Sequence, residues 1–265
     1  MKLKELINKS YYGTIGYIAK KEDVDLIEQY ILFNLPVLKE FKNIVIATNY
    51  KEYNHTLINL NTQLWKKYFP ECIIIDLEVN RGPNFGYCDL DDIVFDYCKE
   101  NNIEWLCKSA NDVVFEEQIL DKEIEEADFY YMNGIGYGGM VSYDFDFDRI
   151  IKEYFYPQTN FYFINVFKTD HLNDKDHVTE IYLKTQNIPD YNGKAWEYGF
   201  RSCETLLKEC VERNNLSKYS LVTLKKYRTL LETVKNYNIH DPSHKNIMIE
   251  NICHYPYADQ QILKI

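Results

Sequence analysis

Three short, near-continuous apolar runs early in the chain leave few options for its fold. They are Thr14-Ile-Gly-Tyr-Ile18, Asn43-Ile-Val-Ile-Ala-Thr48 and Cys72-Ile-Ile-Ile-Asp76. Between them lie amphipathic stretches. Glu22 to Phe33 places Leu26, Ile27, Tyr30 and Ile31 on one face and is expected to stop at Pro36, and Lys51 to Tyr68 repeats Leu57, Leu60, Leu64 and Trp65 at helical spacing. Apolar strands alternating with helices imply a parallel sheet covered on both faces, a doubly wound, Rossmann-like α/β arrangement.

The stretch from Glu71 to Phe115 says where such a sheet would bind. The third apolar run breaks at Asn80-Arg-Gly-Pro-Asn-Phe-Gly86, where two glycines and a proline oppose regular structure. A helix is expected from Asp89 to Asn101, and Trp105-Leu-Cys-Lys-Ser109 reads as the next strand, delivering the chain to Asn111-Asp112. A loop at the carboxyl end of one strand and a carboxylate at the end of the next is where open α/β sheets hold ligands, and the leading expectation is a nucleotide-type site.

After Phe115 the pattern changes. Phe129-Tyr-Tyr-Met132 and Asn160-Phe-Tyr-Phe-Ile-Asn165 read as further strands around a Gly- and Asp-rich segment, 134–148. Helices are expected at 174–184, 197–213 and 218–237, before a closing segment, Ile239 to Asn246. The division predicted is an α/β core over 1–170 and a mainly helical portion of the same domain over 171–265, with 265 residues enough to bury a substantial core.

Composition narrows the function. A net charge of -11 argues against a general nucleic-acid surface, which depends on clustered Lys and Arg. The seven cysteines form no CxxC pair and most sit in apolar runs, so a reducing, cytoplasmic setting is expected. The charged start Met1-Lys-Leu-Lys-Glu5 does not read as a signal peptide, and no run of about 18 apolar residues is present to span a bilayer. The 24 tyrosines serve either as packing or as stacking surfaces.

Several residues could carry chemistry, each with a plainer alternative. Asp112 reads as a hard oxygen ligand for Mg or Mn beside a diphosphate, or as a helix cap or turn residue. The Asn80–Gly86 loop could bring backbone N–H groups and Arg81 to a phosphate, or Asn80 and Asn84 to a sugar hydroxyl, or simply turn the chain. Gly134-Ile-Gly-Tyr-Gly-Gly139 imitates a dinucleotide fingerprint but lacks the apolar helix that should follow. His240 and His244 flank Pro242, which opposes a helical zinc pair but leaves a pyrophosphate or metal contact open. Glu197 and Glu204 could act as general bases, or merely offset a helix N-terminus.

Together these segments resemble the GT-A-fold glycosyltransferases, and within them the branch that includes rhamnan synthesis protein F. Asn80-Arg-Gly-Pro-Asn-Phe-Gly86 is similar to that branch's Asn-x-Gly-x-Asp/Asn loop, Glu197-Tyr-Gly-Phe200 to its late Glu-containing helix start, and Asp241-Pro-Ser-His244 to its Asn-Pro-Thr-His segment. Ala110-Asn111-Asp112 falls at the family's DxD step with Ala in the first position. The resemblance implies a GT-A-like sheet with a helical C-terminal annex, and transfer of a sugar from a nucleotide diphosphate donor to a glycan or other hydroxyl acceptor. It implies Asp112 and His244 as ligands of Mn or Mg, with Ala19, Lys20, Asn49, Asn80, Arg81, Gly82, Asn84 and His244 at the donor and Thr48 beside the nucleoside. Glu197 is implied as the base of an inverting reaction, with Glu204 second.

Two other readings compete. A nucleotidyltransferase acting on a sugar phosphate shares the α/β start, but Ile18-Ala-Lys-Lys-Glu-Asp23 lacks its glycine-rich phosphate loop. A non-catalytic carbohydrate-binding protein could keep the fold while the DxD step decays, as Ala110 would allow.

Overall fold

The computed structural model describes residues 1–82, 84–110, 113–115, 117–133, 141–144, 149–153, 155, 157–186, 188, 195–221, 248–249 and 252–254. The predicted alternation is present. After a short helix α1 (Leu3–Lys9), the chain runs β1 (Ser10–Ile18), α2 (Lys21–Leu38), β2 (Asn43–Tyr50), α3 (His55–Tyr68), β3 (Ile73–Leu77), α4 (Phe85–Glu100) and β4 (Trp105–Ala110). Next come β5 (Val113–Phe115), β6 (Phe129–Asn133), β7 (Val141–Asp144), β8 (Arg149–Glu153), β9 (Pro157–Asn165), α5 (Lys175–Thr185), α6 (Cys203–Arg213), β10 (Lys218–Ser220), β11 (Met248–Ile249) and β12 (Ile252–His254).

Seven strands form one sheet in the order β10-β6-β9-β4-β1-β2-β3. Strands β4, β1, β2 and β3 are parallel, β9 runs antiparallel to both β4 and β6, and β10 is parallel to β6. Side chains alternate between two cores. Tyr12, Ile46, Cys107 and Phe163 meet α1, α2 and α3, while Ile15, Ala47, Leu106 and Tyr162 meet α4 and α6. Burial on both faces is why these strands read as continuous apolar runs. Gly13 lets α4 approach β1 closely, for a Cβ there would overlap Val94 and come within 2.7 Å of Leu106 Cδ1.

Separate from this sheet, β5 pairs with β12, and β12 with β11. Asn34 of α2, fully buried, holds β5 by both ends of its amide: Nδ2 donates to the Val113 carbonyl at 3.0 Å and Oδ1 accepts from the Phe115 N–H at 2.7 Å.

Several boundaries correct the sequence reading. Pro36 lies inside α2, which runs on to Leu38. Its missing N–H leaves only the Leu32 carbonyl without an intrahelical donor, and Leu32 is 51% exposed, so water can serve that group. Helix α3 starts at His55, not Lys51, because Asn54 caps it and accepts from the Thr56 N–H at 2.9 Å. Helix α4 starts at Phe85, so Gly86, Tyr87 and Cys88 belong to its first turns. The helix expected from 197 begins only at Cys203. A 3-10 turn, Ala195–Tyr198, comes first, Gly199 at φ +89° breaks it, and Ser202 caps α6 by accepting from the Thr205 N–H at 3.2 Å. Residues 218–220 are a strand rather than a helix start, and 222–237, like the Gly134–Gly139 and His240–His244 motifs, fall outside the described residues. Among the described residues, no helix is long and apolar enough to cross a membrane.

Candidate functional site

Strand β1 is the hinge of the sheet: the chain leaves it toward β2 and β3 on one side and returns to β4 on the other. Ile15 aligns with Ala110, the last residue of β4, so β1 extends three residues further, to Ile18. A crevice at the carboxyl ends of two strands whose connections diverge is the ligand seat of open α/β sheets. Asp112, the proposed metal ligand, follows β4 in sequence but, like His244, lies outside the described residues.

The other predicted residues can be placed around this edge. The Ala19 and Lys20 backbone N–H groups both donate to Asp23 Oδ2, at 2.7 and 3.0 Å, which spends them on the start of α2. Thr48 is turned to the α3 face, where its hydroxyl accepts from Asn61 Nδ2 at 3.2 Å. Asn49 faces the other way. It is 3% exposed, and among the described residues its buried Oδ1 has no hydrogen-bond partner.

Asn49 meets the loop after β3 above Gly86. A Cβ on Gly86 would lie 2.9 Å from Asn49 Nδ2 and 3.0 Å from Asn80 Oδ1, so both amides reach over the first turn of α4 where only glycine leaves room. Asn80 organises the loop: its Nδ2 donates to the Tyr50 carbonyl at 3.2 Å and its Oδ1 accepts from the Gly82 N–H at 2.8 Å. Gly82 adopts φ +89°, a conformation that favours glycine. Arg81 points into the protein's own structure. Its guanidinium grips Asp89 of α4 through Nε at 2.8 Å and through a second nitrogen, and it stacks over the Tyr182 ring of α5 at 5.0 Å.

Next to this loop, at the carboxyl edge on the α4 face, is a cavity of about 250 Å³. Asn84 and Tyr87 of the α4 start form one wall, Thr159 of β9 the floor, and Phe200, Cys203 and Glu204 at the start of α6 the other wall. Glu204 Oε1 accepts from the Thr159 hydroxyl at 3.3 Å. Glu197, on the 3-10 turn upstream, is exposed and is not among these lining residues.

Under the floor lies Lys108 of β4, 0% exposed. Its ammonium donates to the Tyr87 hydroxyl and the Thr159 carbonyl and pairs with Asp91 at 3.0 Å. Burial pushes the Asp91 carboxyl up to about 6 even though Lys108 pulls it down. Asp92, one residue on, is pushed up to about 7 by burial despite the N–H of Asn173. Sequence reading gave no site role to Lys108, Thr159 or Phe200. A lysine inside an apolar strand, flanked by Cys107 and Ser109, is the signal that could have exposed the first of them. Among the described residues, no group of three or more His, Cys, Asp or Glu side chains converges as a metal site.

Fold and site define an open α/β sheet with a largely apolar, glutamate-bearing cavity beside its strand-divergence crevice. No family model matches the chain, and no curated protein matches it. Among solved structures, the nucleoside-diphosphate-sugar pyrophosphorylase from Vibrio cholerae RC9 is similar at 10% identity and a TM-score of 0.48, over 96% of this chain and 100% of that one. The galactosyltransferase LgtC, in complex with donor and acceptor sugar analogs, is similar at 8% identity and a TM-score of 0.43, over 96% of this chain and 94% of that one. At these values, what the site does has to be read from its own residues.

Proposed function

We propose that the chain is a glycosyltransferase that moves a sugar from a nucleotide diphosphate donor to an acceptor hydroxyl. The observation that carries this reading is the placement of a glutamate-lined cavity next to the crevice between β1 and β4, where the nucleotide half of a donor would sit. Asn49, whose buried oxygen has no partner among the described residues, and Asn80 would receive donor hydroxyls. Arg81, already engaged by Asp89, would act by holding the loop rather than by meeting phosphate. The acceptor hydroxyl would enter the cavity, where Glu204 takes its proton as the sugar is transferred. This gives Glu204 the role that the resemblance assigned first to Glu197. Asp112 and His244 are the proposed ligands of Mn or Mg, an ion that would offset charge on the departing diphosphate.

Purified protein supplied with a panel of nucleotide sugars and Mn should slowly release nucleoside diphosphate. Glu204→Gln should lower turnover by a factor of about 100 to 10,000 with donor affinity nearly intact, and Asp112→Ala should abolish it. Exchange of pyrophosphate into a sugar nucleotide would replace this reading with nucleotidyl transfer. Binding of free sugar without nucleotide would replace it with a non-catalytic role, and an unaffected Glu204→Gln beside an impaired Glu197→Gln would return the base to Glu197.

A further inference from the structure

Six of the cysteines have described side chains, five of them buried. Two of the six touch. Cys88, 1% exposed in the second turn of α4, has its sulfur 3.4 Å from that of Cys203, the first residue of α6. They are 115 positions apart in sequence and approach only because the starts of α4 and α6 converge at the carboxyl edge of the sheet. Their environments differ. Cys203 is partly exposed and lines the cavity, whereas Cys88 lies behind it among Phe85, Val178, Ile181, Phe200 and Leu206.

We propose that Cys88 and Cys203 form a reversible disulfide by exchange with a small-molecule disulfide that enters through the cavity. A disulfide requires sulfurs about 2.05 Å apart, so the two must approach by roughly 1.4 Å. Cys203 is placed to supply that movement, since it opens α6 directly after the capping Ser202 and its side chain borders open space. The steps balance. The Cys203 thiolate attacks one sulfur of the small disulfide, forming a mixed disulfide and expelling the other half as a thiolate. The Cys88 thiolate then attacks the Cys203 sulfur and expels the second half. The protein loses two protons and two electrons, and the small disulfide becomes two thiols.

The order of attack follows from access, for only Cys203 meets a molecule in the cavity. The second step is the slow one: in the reduced protein the hydrogen bond with Cys203 and burial both hold the Cys88 thiol well above its usual range, and burial still does so once Cys203 is in the mixed disulfide. The product ties α4 to α6 and fixes the wall that bears Glu204, the next residue.

The full-length protein is exposed to oxidised glutathione, alkylated and mapped as non-reduced peptides. One linked pair containing Cys88 and Cys203 is expected, forming faster as pH rises from 7 to 9. It should raise Tm by several degrees, because a cross-link closing so long a loop restricts the unfolded chain, and dithiothreitol should reverse the shift. Cys88→Ser, or Cys88→Ala if the serine is not tolerated, should stop at glutathione on Cys203, with neither link nor Tm rise. Cys203→Ser should leave Cys88 reduced. The proposal is overturned if both thiols in the native protein alkylate fully after oxidation, if glutathione stays on Cys203 unresolved, or if either cysteine links to a different partner.

Discussion

The Lys108 ammonium lies 3.0 Å from the Asp91 carboxylate, and neither group reaches solvent to any useful extent, their side chains being 0% and 6% exposed. The pair joins β4 to α4 directly beneath the cavity floor. Removing one partner strands the other charge, so Lys108→Met should cost about 3–5 kcal/mol in urea unfolding. Adding Asp91→Leu to that variant should recover most of the loss, because the pair as a unit contributes far less than either half left alone.

Asp92 gives stability a definite pH dependence. Burial raises its carboxyl to about 7 in the folded protein, so the native state holds that proton more tightly than the unfolded chain does. The resulting stabilisation is complete below about pH 4, the ordinary carboxylate value, and is lost as pH rises through 7. Asp92→Asn keeps an oxygen for the Asn173 N–H and has no proton to lose. Its unfolding free energy should nearly match the native protein's at pH 4 and exceed it by about 4 kcal/mol at pH 8, about three pKa units at about 1.4 kcal/mol each.

Gly13 is a packing glycine. A methyl group there meets Val94 and Leu106, both fully buried, in the seam between α4 and β1. Gly13→Ala should therefore destabilise by about 1–3 kcal/mol in denaturant titration, the usual cost of overfilling a tight core.

Asn34→Leu keeps the branched outline of the side chain, though it is bulkier, and leaves the Phe115 N–H and the Val113 carbonyl without this partner. A loss of roughly 2–4 kcal/mol is expected, with faster amide exchange at Phe115 than at Ile46 in the main sheet. Equal exchange at both amides would show that the amide clamp contributes little to holding β5.

How much of this could be read in advance depended on whether the signal was local. Strands β1, β2 and β4 announced themselves because each must be apolar on both faces, and Ile46 and Ala47 on opposite faces produce one continuous run. Pro36 misled because its effect depends on whether Leu32 is wet, a tertiary fact. The start of α6 was placed too early because Ala195-Trp-Glu-Tyr198 imitates a helix start, while the stop at Gly199 rests on a positive φ that the sequence only hints at. The loop from Asn80 was recognisable, but not that Arg81 would turn inward to Asp89. The cavity was least legible of all: Thr159 and Glu204 lie 45 positions apart and nothing near either one announces the other.

Strand β10 is only three residues long, yet it pairs with β6 and so covers that side of the main sheet. A nascent chain emerging from the ribosome makes β6 some 85 residues before it can make β10. Throughout that interval Phe129 and Tyr131 sit on a strand whose free edge can recruit a neighbour's backbone. A polypeptide cut short just before Lys218 would keep that liability permanently, so this small strand acts as a guard against self-association as much as a piece of architecture.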